Sequence, residues 1–282
     1  MKKKELLMKG IFFVLALISI IAVVVICIFI FAGGVPGIMK IGIFNFLFGT
    51  VWKPSNEIYG ILPFIIGSLY VTALALLFGV PLGIICAIYL AKFCPPKLKK
   101  ILEPAINLLA GIPSVVYGFF GLVVLVPLIK DLFGGRGTGI LAASILLGIM
   151  ILPTIISVSK SAIEAVPETY LEAGLALGAP KELSVFKIVV PAAKNGILAG
   201  VILGIGRAIG ETMAVMMVAG NQPIIPNSIL SGVRTLTSNI VLEMGYATDL
   251  HREALIGTAV VLFVFILIVN LMFSLLKRRS QS

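Results

Sequence analysis

Two charged side chains stand inside an otherwise apolar stretch, in Gly206-Arg-Ala-Ile-Gly-Glu-Thr212. Arg207 is 12 residues past Asn195, or roughly 18 Å of helical rise. That depth is near the middle of a bilayer, where a charge costs at least about 2.5–3.5 kcal/mol and calls for a partner or a task. Arginine offers a planar fork of N–H donors that matches an oxyanion. Glu211, four residues on, shares its helix face. Two readings follow. In one, the pair neutralises itself and locks helix packing. In the other, Arg207 binds an oxyanion crossing the membrane, while Glu211 holds the guanidinium and competes with the anion so that it can leave. Thr212, and Ser114 and Tyr117 in Gly111-Ile-Pro-Ser-Val-Val-Tyr-Gly118, are further candidates to line that route. Each hydroxyl can equally bond a carbonyl of its own helix.

A second candidate segment carries no buried charge. Tyr170–Pro191 reads as two short helices with a break. Pro167 suits a first helical turn, and Glu168 and Glu172 lie near the positive end of that helix. Gly178 supplies the left-handed residue that stops it, and Pro180 starts the next. Leu171 and Leu175 share a face.

The chain that must position these residues has 282 residues, 60% hydrophobic and 12% charged, against roughly 25% charged in soluble domains. A spanning helix needs about 20 apolar residues. Six segments qualify: 11–32, 62–91, 105–129, 139–158, 195–219 and 254–276. The expected fold is therefore an all-α polytopic membrane protein forming one permease domain over 1–282. Proline and glycine at 79–83, Pro113 and Pro127 are places for kinks. With both termini cytoplasmic, fifteen of the 22 Lys and Arg fall on inner segments and six on outer ones, as the positive-inside rule requires. This puts the loop 160–194 in the cytoplasm. The basic N-terminus followed by 22 apolar residues reads as an uncleaved first span. Gly196, Gly200, Gly204 and Ala208 form a small-residue stripe for close helix packing. Phe44, Phe46, Phe48 and Trp52 in the outer segment suit the headgroup level as lipid anchors, or form part of a contact with an external binding protein.

The loop resembles the cytoplasmic loop of ABC-importer permeases: Glu172-Ala173-Gly174, three residues, Gly178, nine residues, Ile188-Val-Val-Pro191. Gly174 stands where that pattern has its second alanine, and Val190 where it has leucine. The resemblance implies a loop that docks into an ATPase subunit, through Glu172, Ala173, Gly174, Gly178, Ala179, Pro180, Ile188 and Pro191. Tyr59-Gly-Ile-Leu-Pro63, Gly67-Ser-Leu-Tyr-Val-Thr72, Gly111–Gly118 and Gly206–Thr212 resemble the phosphate-specific members. Phe46–Pro54 and Asp249–Leu255 look more like the PstC type than its PstA sister. The resemblance implies a six-helix type I permease in a prokaryotic inner membrane. It would pair with a PstA-type permease, two PstB-type ATPases that bind the ATP, and a PstS-type phosphate-binding protein outside.

Other classes fit less well. The chain has no G-x-x-x-x-G-K-[ST] loop; Gly134-Gly-Arg-Gly-Thr-Gly139 lacks the lysine and reads as a turn. No cofactor or metal is expected: Cys27, Cys86 and Cys94 read as apolar fillers, and His251 as a lone surface histidine. The basic excess points to inner loops and anionic lipid rather than nucleic acid. An ion-coupled secondary transporter is a further alternative, against which the spans lack the Asp/Glu/His chain that a proton relay would use. A permease for sulfate or molybdate remains an alternative, since an arginine fork does not choose among tetrahedral anions.

Overall fold

The computed structural model describes residues 2–279, with side chains for Glu5 and residues 7–272. Helix α1 (Lys2–Ile41) is followed by α2 (Ile43–Phe48) and a two-stranded hairpin, β1 (Trp52–Lys53) and β2 (Ile58–Tyr59). Then come α3 (Leu62–Phe93), α4 (Pro96–Gly111), α5 (Ser114–Phe133) and α6 (Ile140–Glu164). After them run α7 (Glu168–Ala176), α8 (Lys181–Ala192), α9 (Lys194–Gly210) and α10 (Met213–Val218), then α11 (Leu236–Glu243) and α12 (Asp249–Arg279). Helices α1, α3, α5, α6 and α12 are each long and apolar enough to cross a membrane, and the pair α8–α9, bent by 70°, passes the same test only when its two helices are taken together.

Helix α6 is the axis of the bundle, and small residues let its neighbours approach. A Cβ built on Gly79 or Gly83 of α3 would stand 2.8 Å from Ile151 Cδ1 or 2.7 Å from Ile155 Cγ2. On the α9 side, Gly196, Gly200 and Gly204 face Ala162, Ser159 and Ile155. The expected small-residue stripe is thus the α9–α6 seam, closed by dispersion contacts rather than by water exclusion. Helices α1 and α12 cross likewise: a Cβ on Gly34 would be 2.8 Å from Gly257 N. Lys40 closes that crossing at 2.7 Å from Glu253.

The two spans expected at 105–129 and 195–219 are each broken. Gly111 ends α4, and Ile112 and Pro113 are extended, with ψ of 127° and 141°. The residue before proline is pushed out of the helical region, so the crossing begins afresh at Ser114. In the other, α9 stops at Gly210, and Glu211 adopts φ −69°, ψ 131°.

The segment expected outside the membrane differs from a lipid anchor. Phe46 and Trp52 are buried, in a core with Tyr59, Ile61, Phe64, Leu236 and Leu255. Only Phe44 and Phe48 remain exposed, stacked on each other with ring centres 6.3 Å apart.

Candidate functional site

The broken helices meet. Helix α10 packs against the first turns of α5, where a Cβ on Gly118 would touch Met217 Sδ and Ala214 Cα, at 2.6 and 3.1 Å. The break after α9 turns Glu211 away from Arg207. Its carboxylate instead accepts the backbone N–H groups of Thr212 (3.1 Å) and Ala214 (3.3 Å) at the start of α10. Its carbonyl accepts the hydroxyl of Thr237 at 3.1 Å. The expected Arg207–Glu211 pair is therefore absent among the described residues. Four-residue spacing gives a shared face only while the helix continues. Here the carboxylate satisfies orphan amides of the next helix, the task of an N-capping group.

Arg207 is left with one side-chain partner: its Nη1 donates to Thr154 Oγ1 of α6 at 3.3 Å. The guanidinium is half-buried. The glycines flanking it, Gly206 and Gly210, have no heavy atom within 4 Å of where a Cβ would stand. An arginine with most of its five donors unused, beside open space, can take a bidentate oxyanion.

The remaining candidates divide. Tyr117 is buried, and its hydroxyl donates to Leu109 O at 2.9 Å, tying α5 to the last turn of α4 across the break. Thr212 bridges the other break by donating to Gly210 O at 3.2 Å. Both hydroxyls are thus taken by backbone, as hydroxyls near helix ends often are. Ser114 opens α5 half-exposed, with no hydrogen-bond partner among the described residues. Sequence reading missed Thr154. Its signal was a hydroxyl directly after Pro153 inside an apolar run.

The α7–α8 hairpin is built as its residues suggest. Gly178 is left-handed at φ +82° and separates α7 from α8. Gly174 is buried: a Cβ there would meet Ser184 Oγ at 2.6 Å and Ile188 Cδ1 at 2.8 Å. Glycine in place of alanine is what lets α7 lie on α8 so closely. The N–H of Ala179 donates to Gly174 O. Leu171 enters a core with Ile88, Ile163, Val185 and Val189, whereas Leu175 turns outward. Glu172, Ala173, Pro180 and Pro191 are exposed. Leu177 at 88% and Tyr170 at 48% exposure leave an apolar, charged-rimmed face uncovered.

A second charged cluster joins the β1–β2 hairpin to α11 and α12. Glu243 is 6% exposed. It accepts Arg234 Nη1 at 2.5 Å, Trp52 Nε1 at 2.9 Å and His251 Nε2 at 2.9 Å. Arg234 also donates to Asn239 Oδ1 and Asn221 O, and lies over the Phe64 ring. So Trp52 and His251, expected as a lipid anchor and a lone surface histidine, are both partners of one buried carboxylate. Burial, with the charges of Glu57 and Glu243 behind it, raises the Tyr59 phenol above its ordinary pKa.

Residues 79–282 match the family of binding-protein-dependent transport system inner membrane components. The chain is 43% identical over 267 residues to the probable ABC transporter permease protein YqgH of Bacillus subtilis, covering 90% of this chain and 86% of that one. It is 36% identical to the phosphate transport system permease protein PstC of Mesorhizobium japonicum, covering 83% and 78%. Among solved structures it superposes on a chain of the bacterial alginate ABC transporter with a TM-score of 0.64 at 15% identity, over 94% of each chain. It superposes on the inward-facing MetNI methionine ABC transporter with a TM-score of 0.62 at 18% identity, over 82% of this chain and 99% of that one.

Proposed function

The chain belongs to the family of binding-protein-dependent transport system inner membrane components, and from that membership we propose that it is the PstC-type permease subunit of an ATP-driven phosphate importer. The observation that carries the substrate is Arg207: a half-buried guanidinium with one long hydrogen bond, beside open space, in the helix expected to reach mid-membrane. A planar fork of that kind suits a phosphate oxygen pair. The relatives named for phosphate transport support the choice of anion.

In this reading a PstA-type permease packs beside the chain and completes the route, and a PstS-type protein delivers phosphate to the outer face. A PstB-type ATPase pair grips the α7–α8 hairpin, whose uncovered apolar face is shaped for a groove. ATP binding and hydrolysis there swing the permease pair between outward- and inward-facing states. Glu211 acts as a positioning residue, since its carboxylate fixes the start of α10.

The test is uptake of radiolabelled phosphate into proteoliposomes holding the four kinds of subunit, with and without internal ATP, with sulfate and molybdate as competitors. ATP-dependent uptake that resists both competitors is the expected result. Competition by sulfate or molybdate would move the substrate to another oxyanion, and uptake that ignores ATP would overturn the importer reading.

A further inference from the structure

Beyond Thr154, towards the C-terminal end of α6, α4 and α6 flank a half-open cavity of about 220 Å³, whose polar lining is Glu103 and Asn107 of α4 and Ser157, Lys160 and Ser161 of α6. We infer that this cavity is a second anion station on the transport route, with Lys160 the cation that receives the oxyanion after it leaves Arg207. The inference rests on the phosphate-importer reading above.

Three observations carry it. First, the cavity is connected to Arg207 by a line of hydroxyls. Thr154 accepts the guanidinium hydrogen bond. Ser157 and Ser161 follow at three and seven residues on the same face of α6, over roughly 10 Å of helical rise. Second, polar groups facing the cavity are unused. Ser157 Oγ donates no hydrogen bond among the described residues, nor does the Asn107 amide, whereas Ser161 donates back to Ser157 O. Third, Lys160 is held between two carboxylates. Its ammonium contacts Glu103 and stands 3.4 Å from Glu164, and Lys99 closes the ring at 2.6 Å from Glu164 and 3.8 Å from Glu103.

Two cations and two carboxylates in alternation leave the station with no net charge. An arriving anion displaces a carboxylate from Lys160, is held by one cation with the Ser157 and Asn107 donors, and is expelled as the carboxylate returns. A site on an exit path must bind well enough to be entered and weakly enough to be left. The carboxylates set that balance. A latch made only of ion pairs would hold α4 to α6 equally well without a cavity, free donors or a hydroxyl line.

The experiment uses the full reconstituted complex in proteoliposomes loaded with increasing internal phosphate, at ionic strength held constant with chloride. The quantity read is the internal phosphate concentration that halves ATP-driven uptake. In E103Q, Lys160 keeps its charge and loses a competitor. Its half-inhibitory phosphate should fall about tenfold, the effect of one charge-assisted hydrogen bond. In K160Q it should rise by about as much, and K160R should restore the wild-type value. A latch predicts the same half-inhibitory phosphate in every variant, set at Arg207 alone. Identical inhibition in wild type and E103Q, in complexes that do take up phosphate, overturns the station, and this comparison decides the matter even where K160Q fails to assemble. A wild-type complex that takes up no phosphate sinks the proposed function instead.

Discussion

Arg234 and Arg207 are the same side chain under opposite terms. Arg234 is 14% exposed and makes three hydrogen bonds, to Glu243, Asn239 and the Asn221 carbonyl, with an aromatic ring beneath it. Arg207 lies in the same half-buried range and has one long bond to a neutral hydroxyl. The glutamates diverge in the same way. Glu243 is saturated by Arg234, Trp52 and His251, while Glu211 is spent on two backbone amides. A buried charge that is fully paired holds structure together, and removing one partner leaves the other stranded. A charge left with spare donors in an apolar setting adds little to structure, which is why the proposed anion site is placed at Arg207.

That contrast is broken most directly at Arg207. Replacing it by alanine removes at least two charge-assisted bonds to the anion, each worth about 1.5–3 kcal/mol. Uptake should fall about a hundredfold or more, while assembly and thermal unfolding of the complex in detergent stay near wild type. Equal loss of assembly would show Arg207 to be a packing residue after all.

Glu243→Ala tests the other side. Arg234, Trp52 and His251 would all lose their acceptor, and a broken buried pair costs about 3–5 kcal/mol. The transition should drop by several degrees or more, measured by thermal scanning of the detergent-solubilised chain. An unchanged transition would mean that the outer cluster is not what fixes the hairpin and α11 against α3.

How much of this contrast was legible in the sequence depends on how local each feature is. The α7–α8 hairpin was readable, because Gly178 and Pro180 act through their own backbones and the spacing to Pro191 lies within one segment. The stripe of Gly196, Gly200 and Gly204 was readable as an interface because close approach needs only missing side chains, although its partner, α6, was not. The Arg207–Glu211 pair failed because helical periodicity runs straight through Gly210. What ends the helix is the capping of α10 and a hydroxyl from Thr237, 26 residues away. Trp52 failed for a similar reason. Aromatic residues outside a span are most often interfacial, and only the fold brings in Glu243, 191 residues on.

Thr154→Val sharpens the comparison at smaller scale. It keeps the shape of the side chain and removes the one acceptor that orients Arg207. A single hydrogen bond to a charged group suggests a fall in uptake of about tenfold, without a change in unfolding temperature. The same substitution at a satisfied arginine would show mainly as lost stability, so separating the two readouts is what gives the experiment its force.

The smallest effect belongs to Tyr59, at the edge of the outer cluster. Burial, then the carboxylates of Glu57 and Glu243, disfavour its phenolate, so its folded pKa lies above the ordinary value of 10.0. Above pH 10 the unfolded chain loses this proton while the folded chain keeps it. The stability tied to the neutral phenol is therefore complete below pH 10 and declines as pH climbs towards the folded pKa, by at most about 1.4 kcal/mol per pH unit for one proton. Tyr59→Phe removes that proton and should flatten the alkaline limb of a plot of unfolding temperature against pH, leaving the neutral region in place. A limb as steep in Tyr59→Phe as in wild type would mean that neither burial nor the carboxylates of Glu57 and Glu243 hold this phenol above its ordinary pKa.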